Sequence, residues 1–343
     1  MESPSVFEPH QSDAVIRVAA YHRRDFELTV IRSSPAEHDP VRPSVVDPFP
    51  SAPITGLGAL ERLPLELLSS ICFLLDIRSC FILRQVNRRA REVVSSLYNY
   101  RAVAKHGLET LRAVLRTGVA RYLTISDLYR PLCLGGCRLC GSEFGGFLFL
   151  PTVTRCCFAC VRESPRLWLV TLSALRRRSG MTRQRLTQMM PVMRSLPGRY
   201  MMEQKRQTQR WELLVREQSL EALGFAITTR RRSGVPMISP NTAIWRYMVS
   251  TPLPLLNPTT GEVQHGLSCK GCQIALEIAD AHGARSAGLS ENRDRVYSRE
   301  GYLEHFPTCA ESITLWQESE AGTVSIREPE FTRRGGYLKD PFS

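Results

Sequence analysis

The chain has 343 residues, 43% apolar and 23% charged, with 45 Lys and Arg against 33 Asp and Glu for a formal charge of +12. This balance excludes a wholly disordered protein and leaves room for two or three modest domains. No run is apolar enough to span a membrane, because the most apolar stretch, Leu63 to Ile77, contains Glu66 and Asp76. The opening residues, Met1, Glu2, Ser3 and Pro4, are neither basic nor followed by an apolar core, as a secretory leader requires. A cytoplasmic or nuclear protein without a membrane partner is expected, and in that setting paired cysteines favour metal over disulfides.

Residues 1–56 are rich in Pro, Ser and His and read as a mobile leader. Within them Val15 to Ile31 forms an island that reads as paired strands. From 57 to 105 the pattern becomes helical. Leu67, Ile71, Leu74 and Leu75 recur at helical spacing, as do Leu83, Val86, Ala90, Val93, Val94 and Leu97. Pro64 suits the first helical position, where its missing N–H costs nothing, and Glu66 suits the positive end of the helix dipole. Asp76 to Ser79 interrupts the periodicity, with Ser79 a candidate cap for a second helix and a third starting near Asn87. A unit of three small helices is too short to bury a large core, so part of its apolar stripe must be covered by something else.

Leu60 to Leu97 resembles the F-box, through Leu63-Pro64, Glu66, the Ile71 and Leu74-Leu75 stripe, and Leu83, Arg84, Val86, Asn87, Arg88 and Arg91. Cys80 and Phe81 stand where leucines are common, Asn87 replaces a small residue, and no tryptophan occurs between Arg88 and Arg91. The resemblance implies binding to the linker subunit of a cullin ubiquitin ligase, the SCF complex. The residues expected at that contact are Leu63, Pro64, Leu67, Ile71, Leu74, Leu75, Leu83 and Val86.

Residues 106–131 read as a helical connector, with Leu108 to Leu115 amphipathic. At Leu132 cysteines and glycines arrive together, and 132–166 reads as a first zinc-binding module. Cys137 and Cys140 form one Cys-x-x-Cys pair, Cys157 and Cys160 a second. Such a pair lets two thiolates meet one tetrahedral ion from a single tight turn, and Gly141 relieves crowding where the chain leaves it. A hairpin across Phe144 to Leu150 would join the two pairs. Cys156 is an alternative to Cys157.

Residues 167–250 read as a basic helical region. It includes Arg176, Arg177, Arg178, Arg183, Arg185, Arg194, Arg206, Arg210 and Arg230 to Arg232, with a long helical segment from Arg199 to Leu223. Thr251 to Pro258 reads as an irregular connector because its prolines remove backbone donors. Residues 251–320 form the second zinc-binding module, in which Cys269 and Cys272 meet His305 and Cys309, and 321–343 a C-terminal tail. His and Cys four apart on a helix share one face, although Pro307 bends or restarts that backbone. His265 and His282 are rival ligands to His305.

The fold class expected is mainly α with small β: an N-terminal three-helix F-box, then a helical region carrying two zinc-ribbon or knuckle-like modules. This arrangement, with Ser195 to Tyr200 and Leu315-Trp316, resembles cysteine-rich F-box proteins of filamentous fungi over most of the chain. Two structural zinc ions are expected, since each donor set is closed to water. The function expected is a non-catalytic substrate-recognition adaptor, its zinc-stapled C-terminal region binding an unknown protein substrate. A zinc-dependent nucleic-acid or chromatin-binding protein using the arginines is the alternative. No phosphate loop, nucleophile elbow or His-Glu-x-x-His helix is present.

Overall fold

The apolar stripes of the first third fold as a stack of short helices. The computed structural model describes residues 7–47, 56–201, 206–224, 240–284 and 286–337; Arg230 to Arg232 lie outside them. Leu65–Leu74, Ile77–Val86 and Arg88–Ser96 are the three helices expected, followed by Tyr98–His106, Leu108–Thr117 and Ile125–Leu132. Their boundaries follow local chemistry. Pro64 is extended, with φ −55° and ψ 153°, and caps the first helix from outside instead of occupying its first turn. Asp76, not Ser79, caps the second helix: its carboxylate accepts the Ser79 N–H at 3.0 Å and the Ser79 hydroxyl at 2.6 Å. Asn87 caps the third, accepting the Ala90 N–H at 2.8 Å.

Within residues 7–47 the Val15 to Ile31 island is more helix than strand, with Ser12–Ala19 followed by a two-residue strand, Ala20–Tyr21, and the turn of helix Arg24–Glu27. Val15, Val18 and Ala19 fall at i, i+3 and i+4, which is helical spacing, and all three are buried with Tyr302, Phe306 and Trp316. Ala20 and Tyr21 pair antiparallel with Cys269 and Ser268. Further on, the Arg84 guanidinium donates to the Ser44 carbonyl at 2.6 Å, and the Tyr100 hydroxyl donates to the Val45 carbonyl at 2.7 Å. The beginning of the chain is thereby fastened both to its far end and to the helical stack.

The β structure is small. Phe147–Phe149 pairs antiparallel with Thr154–Cys156 on one side and Ser250–Pro252 on the other. The expected irregular connector is thus partly strand; Pro252 is accommodated because Ser250–Pro252 lies at a sheet edge. A second sheet orders Leu169–Thr171, Glu212–Val215 and Met193–Arg194. The long helix expected from Arg199 to Leu223 is interrupted by strand: Leu213, Leu214 and Val215 are a continuous buried run, which suits a covered strand, and among the described residues of the segment only Arg216–Ala222 is helical. The segment expected as a tail returns to the N-terminal region, where the Arg24 N–H donates to the Gly335 carbonyl at 2.8 Å. Among the described residues no helix is long and apolar enough to cross a membrane.

Candidate functional site

The first helix of the stack shows how its apolar residues divide. Leu68 and Cys72 point into the main core, with exposures of 5% and 2%. Leu67, Ile71 and Leu74 point outward; Leu67 is 52% and Leu74 83% exposed. Val86, at the end of the second helix, is 65% exposed, and Pro64 is exposed as well, while Leu63, Leu75 and Leu83 are half-buried. The eight residues expected at a partner contact are thus all reachable to some degree. Ile82, 54% exposed and four residues before Val86 on the same helix, joins this face and lies off the stripe read from Leu83 and Val86. Exposed apolar surface of this extent makes the face a candidate interaction site.

Cys137, Cys140, Cys157 and Cys160 come together, their sulfurs within 4.8 Å of one another. The first pair sits on a tight turn: the Cys137 N–H donates to the Glu143 carbonyl at 2.8 Å and Gly141, at φ 74°, closes the turn by donating to the Cys137 carbonyl at 3.0 Å. The second pair opens the helix Phe158–Glu163, where Cys157 Sγ accepts the Cys160 N–H at 3.4 Å. The strand Thr154–Cys156 delivers Cys157 directly to that position. Cys156 is fully buried and outside the group.

Cys269, Cys272, His305 and Cys309 form the second group. Cys269 repeats the arrangement of Cys157: it opens the helix Lys270–Ala281 and accepts the Cys272 N–H at 3.4 Å. His305 ends the helix Arg299–His305, and a 3-10 turn, Phe306–Thr308, carries Pro307 and brings Cys309 back. His305 stacks on Tyr297 with ring centroids 4.7 Å apart, and its Nδ1 faces the Thr308 hydroxyl at 3.5 Å, so Nε2 points to the sulfurs. Gly271 is required here, because a Cβ would lie 2.7 Å from Cys309 Sγ. Of the rival ligands, His282 Nδ1 bonds the Ile278 carbonyl at 2.7 Å, and His265 lies in another group with His22 and Glu27.

Both groups have the dimensions of a tetrahedral zinc site. Two sulfurs bound at about 2.3 Å and at the tetrahedral angle lie about 3.8 Å apart, and a sulfur and an imidazole nitrogen about 3.6 Å apart. Here Cys140 and Cys157 sulfurs are 3.9 Å apart, those of Cys269 and Cys309 3.7 Å, and Cys272 Sγ lies 3.4 Å from His305 Nε2. The electrostatics agree. A hydrogen bond from Cys157 pulls the Cys137 thiol down to about 4, while the same bond and burial push Cys157 up. Burial and the neighbouring Cys137 push the Cys160 thiol up as well, and a divalent ion is what lets such crowded thiols ionise together. Cys137, Cys140, Cys157 and Cys160 could hold one ion and Cys269, Cys272, His305 and Cys309 another, each cross-linking the segments that carry its ligands.

Arg155 gave no signal in the sequence beyond its place beside Cys156. It is 1% exposed and donates to the carbonyls of Pro131 at 2.7 Å, Pro254 at 2.9 Å and Leu253 at 3.2 Å. Burial pulls its guanidinium down to about 10. It ties the first cysteine module to the helical stack and to the segment after Pro252. Of the basic region's arginines, Arg176, Arg177, Arg178, Arg183, Arg185, Arg194, Arg206 and Arg210 are exposed, and Leu172, Leu175, Leu186 and Leu214 form a small core within that region.

An F-box domain model matches residues 60–102. This is the stretch that carries the three helices and the outward apolar face. No curated protein and no solved structure matches the chain.

Proposed function

We propose that this chain is the substrate-recognition adaptor of an SCF-type cullin ubiquitin ligase. The F-box at 60–102 supports a role in substrate recognition of that kind, and F-box domains bind the linker subunit. The observation that carries the reading is the outward face of Leu67, Ile71, Leu74 and Val86. These side chains gain when a partner removes them from water, at about 1.5–3 kcal/mol for each one fully buried. The main core runs from the F-box helices into the first cysteine-rich group, while the second group and residues 172–214 pack around smaller cores of their own. The part of these regions beyond the F-box is to hold a substrate. Held beside a charged thioester on other subunits, a substrate lysine reacts at a raised effective concentration, and the adaptor contributes no reacting group.

Affinity purification of the full chain with the proteasome blocked tests this. Recovery of the linker subunit and cullin together with proteins that accumulate as ubiquitin conjugates is expected; recovery of neither ligase component would overturn the reading. A second reading, a zinc-dependent nucleic-acid or chromatin-binding protein, draws on the exposed arginines around residues 172–215. Phosphate binding would show as affinity that falls steeply with salt, and its absence at low ionic strength disposes of that reading.

A further inference from the structure

The pairing of Ala20 and Tyr21 with Cys269 and Ser268 has an effect beyond fastening the two ends of the chain. It brings the turn after Tyr21 against the turn before Ser268, and so sets His22 beside His265, with their rings edge to face and centroids 5.5 Å apart. Glu27, at the end of the short helix Arg24–Glu27, reaches the same point. One ligand atom from each of His22, Glu27 and His265 lies within 4.8 Å of the others. We propose that these three residues form a third metal site, for an exchangeable first-row divalent ion.

The geometry suits an ion. His22 Nε2 and Glu27 Oε1 are 3.1 Å apart, and two donors bound at about 2.1 Å, at angles between square and tetrahedral, lie about 3.0–3.4 Å apart. His22 Nδ1 faces the Gly266 carbonyl at 3.3 Å. Donation there leaves the Nε2 lone pair for a metal, as the outer hydrogen bond of a metal-bound imidazole does. The carbonyl is fixed in place: Gly266 has φ 83°, and a Cβ on it would lie 2.6 Å from Val296 and 2.7 Å from Phe144. Two imidazoles and a carboxylate are a donor set for borderline ions such as Zn2+ or Fe2+.

This site differs in kind from the two cysteine-rich groups. They offer four protein donors, whereas this one offers three, at the wall of a cleft of about 520 Å³. Three donors leave at least one position open, which is how metal sites admit water or a ligand. Arg24 and Glu262 line the same cleft, as does Arg299, which is paired with Asp13, so a water or a ligand oxygen is what would complete the coordination. Nothing here depends on whether the F-box face is occupied.

The test counts ions on the full-length, tag-free chain. Zinc content is measured after equilibration with free Zn2+ in the low micromolar range, for wild type and for H265A, a change at an exposed position. Wild type is expected to hold one ion more than H265A, and Co2+ titrated into that difference should give ligand-field bands without the thiolate charge transfer of the cysteine groups. Because the difference is read, the result does not depend on how many ions those groups hold. Should circular dichroism show H265A to be misfolded, the comparison passes to Glu27→Gln, expected to bind the extra ion at least tenfold more weakly. Equal ion counts in wild type and the folded variant would overturn the proposal, leaving His22 and Glu27 as an ion pair only.

Discussion

Ala20 lies directly opposite Cys269 in an antiparallel pair, so the first helix of the chain is hung on the residue that opens the second cysteine-rich group. The helix Ser12–Ala19 and the 3-10 turn at Phe306 share one small core with Cys269, Cys272 and Cys309. That core is small, with eight buried residues beside the three cysteines. Structural zinc contributes about 10 kcal/mol or more to the folding of such small modules. Removing it with a chelator should raise hydrogen exchange at Val15 to Tyr21 together with Cys269 to Ala281, even though the two segments are far apart in sequence. Exchange that rises at Cys269 to Ala281 and leaves Val15 to Tyr21 protected contradicts this coupling.

Asp76 offers a pH-dependent test of the helix cap. Burial alone would raise its carboxyl, but the Ser79 hydroxyl and N–H outweigh that and hold it below the usual carboxylate range. A folded value below the unfolded one stabilises the fold above the unfolded pKa, and that stabilisation is lost as pH falls through the folded value. The window therefore lies below about pH 4. Asp76→Ala should cost about 1 kcal/mol at neutral pH and remove part of the acid dependence seen in chemical denaturation. Asp76→Asn, which keeps an acceptor, should retain much of the cap while losing the same part of the pH dependence.

Arg155 is expected to be among the costliest single positions outside the cysteines. Arg155→Met keeps much of the bulk but leaves the carbonyls of Pro131, Leu253 and Pro254 without their donor. A buried polar group without a partner costs about 1–3 kcal/mol, so a loss of about 3 kcal/mol or more is expected in urea unfolding. A loss below about 1 kcal/mol would mean that water reaches those carbonyls.

The F-box helices and both cysteine-rich groups were legible in the sequence because their signals are local or stoichiometric. Asn87 followed by an apolar stripe, and a Cys-x-x-Cys pair seeking two more donors, carry their meaning within a few residues. His305 was preferred to His265 and His282 on its spacing from Cys309, and it is the histidine that the fold brings to the sulfurs. The N-terminal segment was misread because Val15, Val18 and Ala19 sit within a short, mixed run whose burial depends on Tyr302 and Trp316 far downstream. Glu212 to Val215 failed for the same reason: a helix-length window hid a strand whose partners, Leu169 to Thr171 and Met193-Arg194, lie elsewhere. His22, Glu27 and His265 have no sequence signature at all. Only the pairing of Ala20 with Cys269 brings them together.

The account rests on the outward face of the F-box helices, and the contrast between Leu74 and Leu68 tests it most directly. Leu68→Ala is a core truncation, expected to destabilise the chain by about 2–5 kcal/mol. Leu74→Glu places a charge on a side chain that already meets water and should leave the melting temperature nearly unchanged. Calorimetric titration of purified linker subunit into the folded Leu74→Glu chain is the decisive measurement. Affinity at least a hundredfold below wild type, about 2.7 kcal/mol, is the result predicted; wild-type affinity contradicts the account.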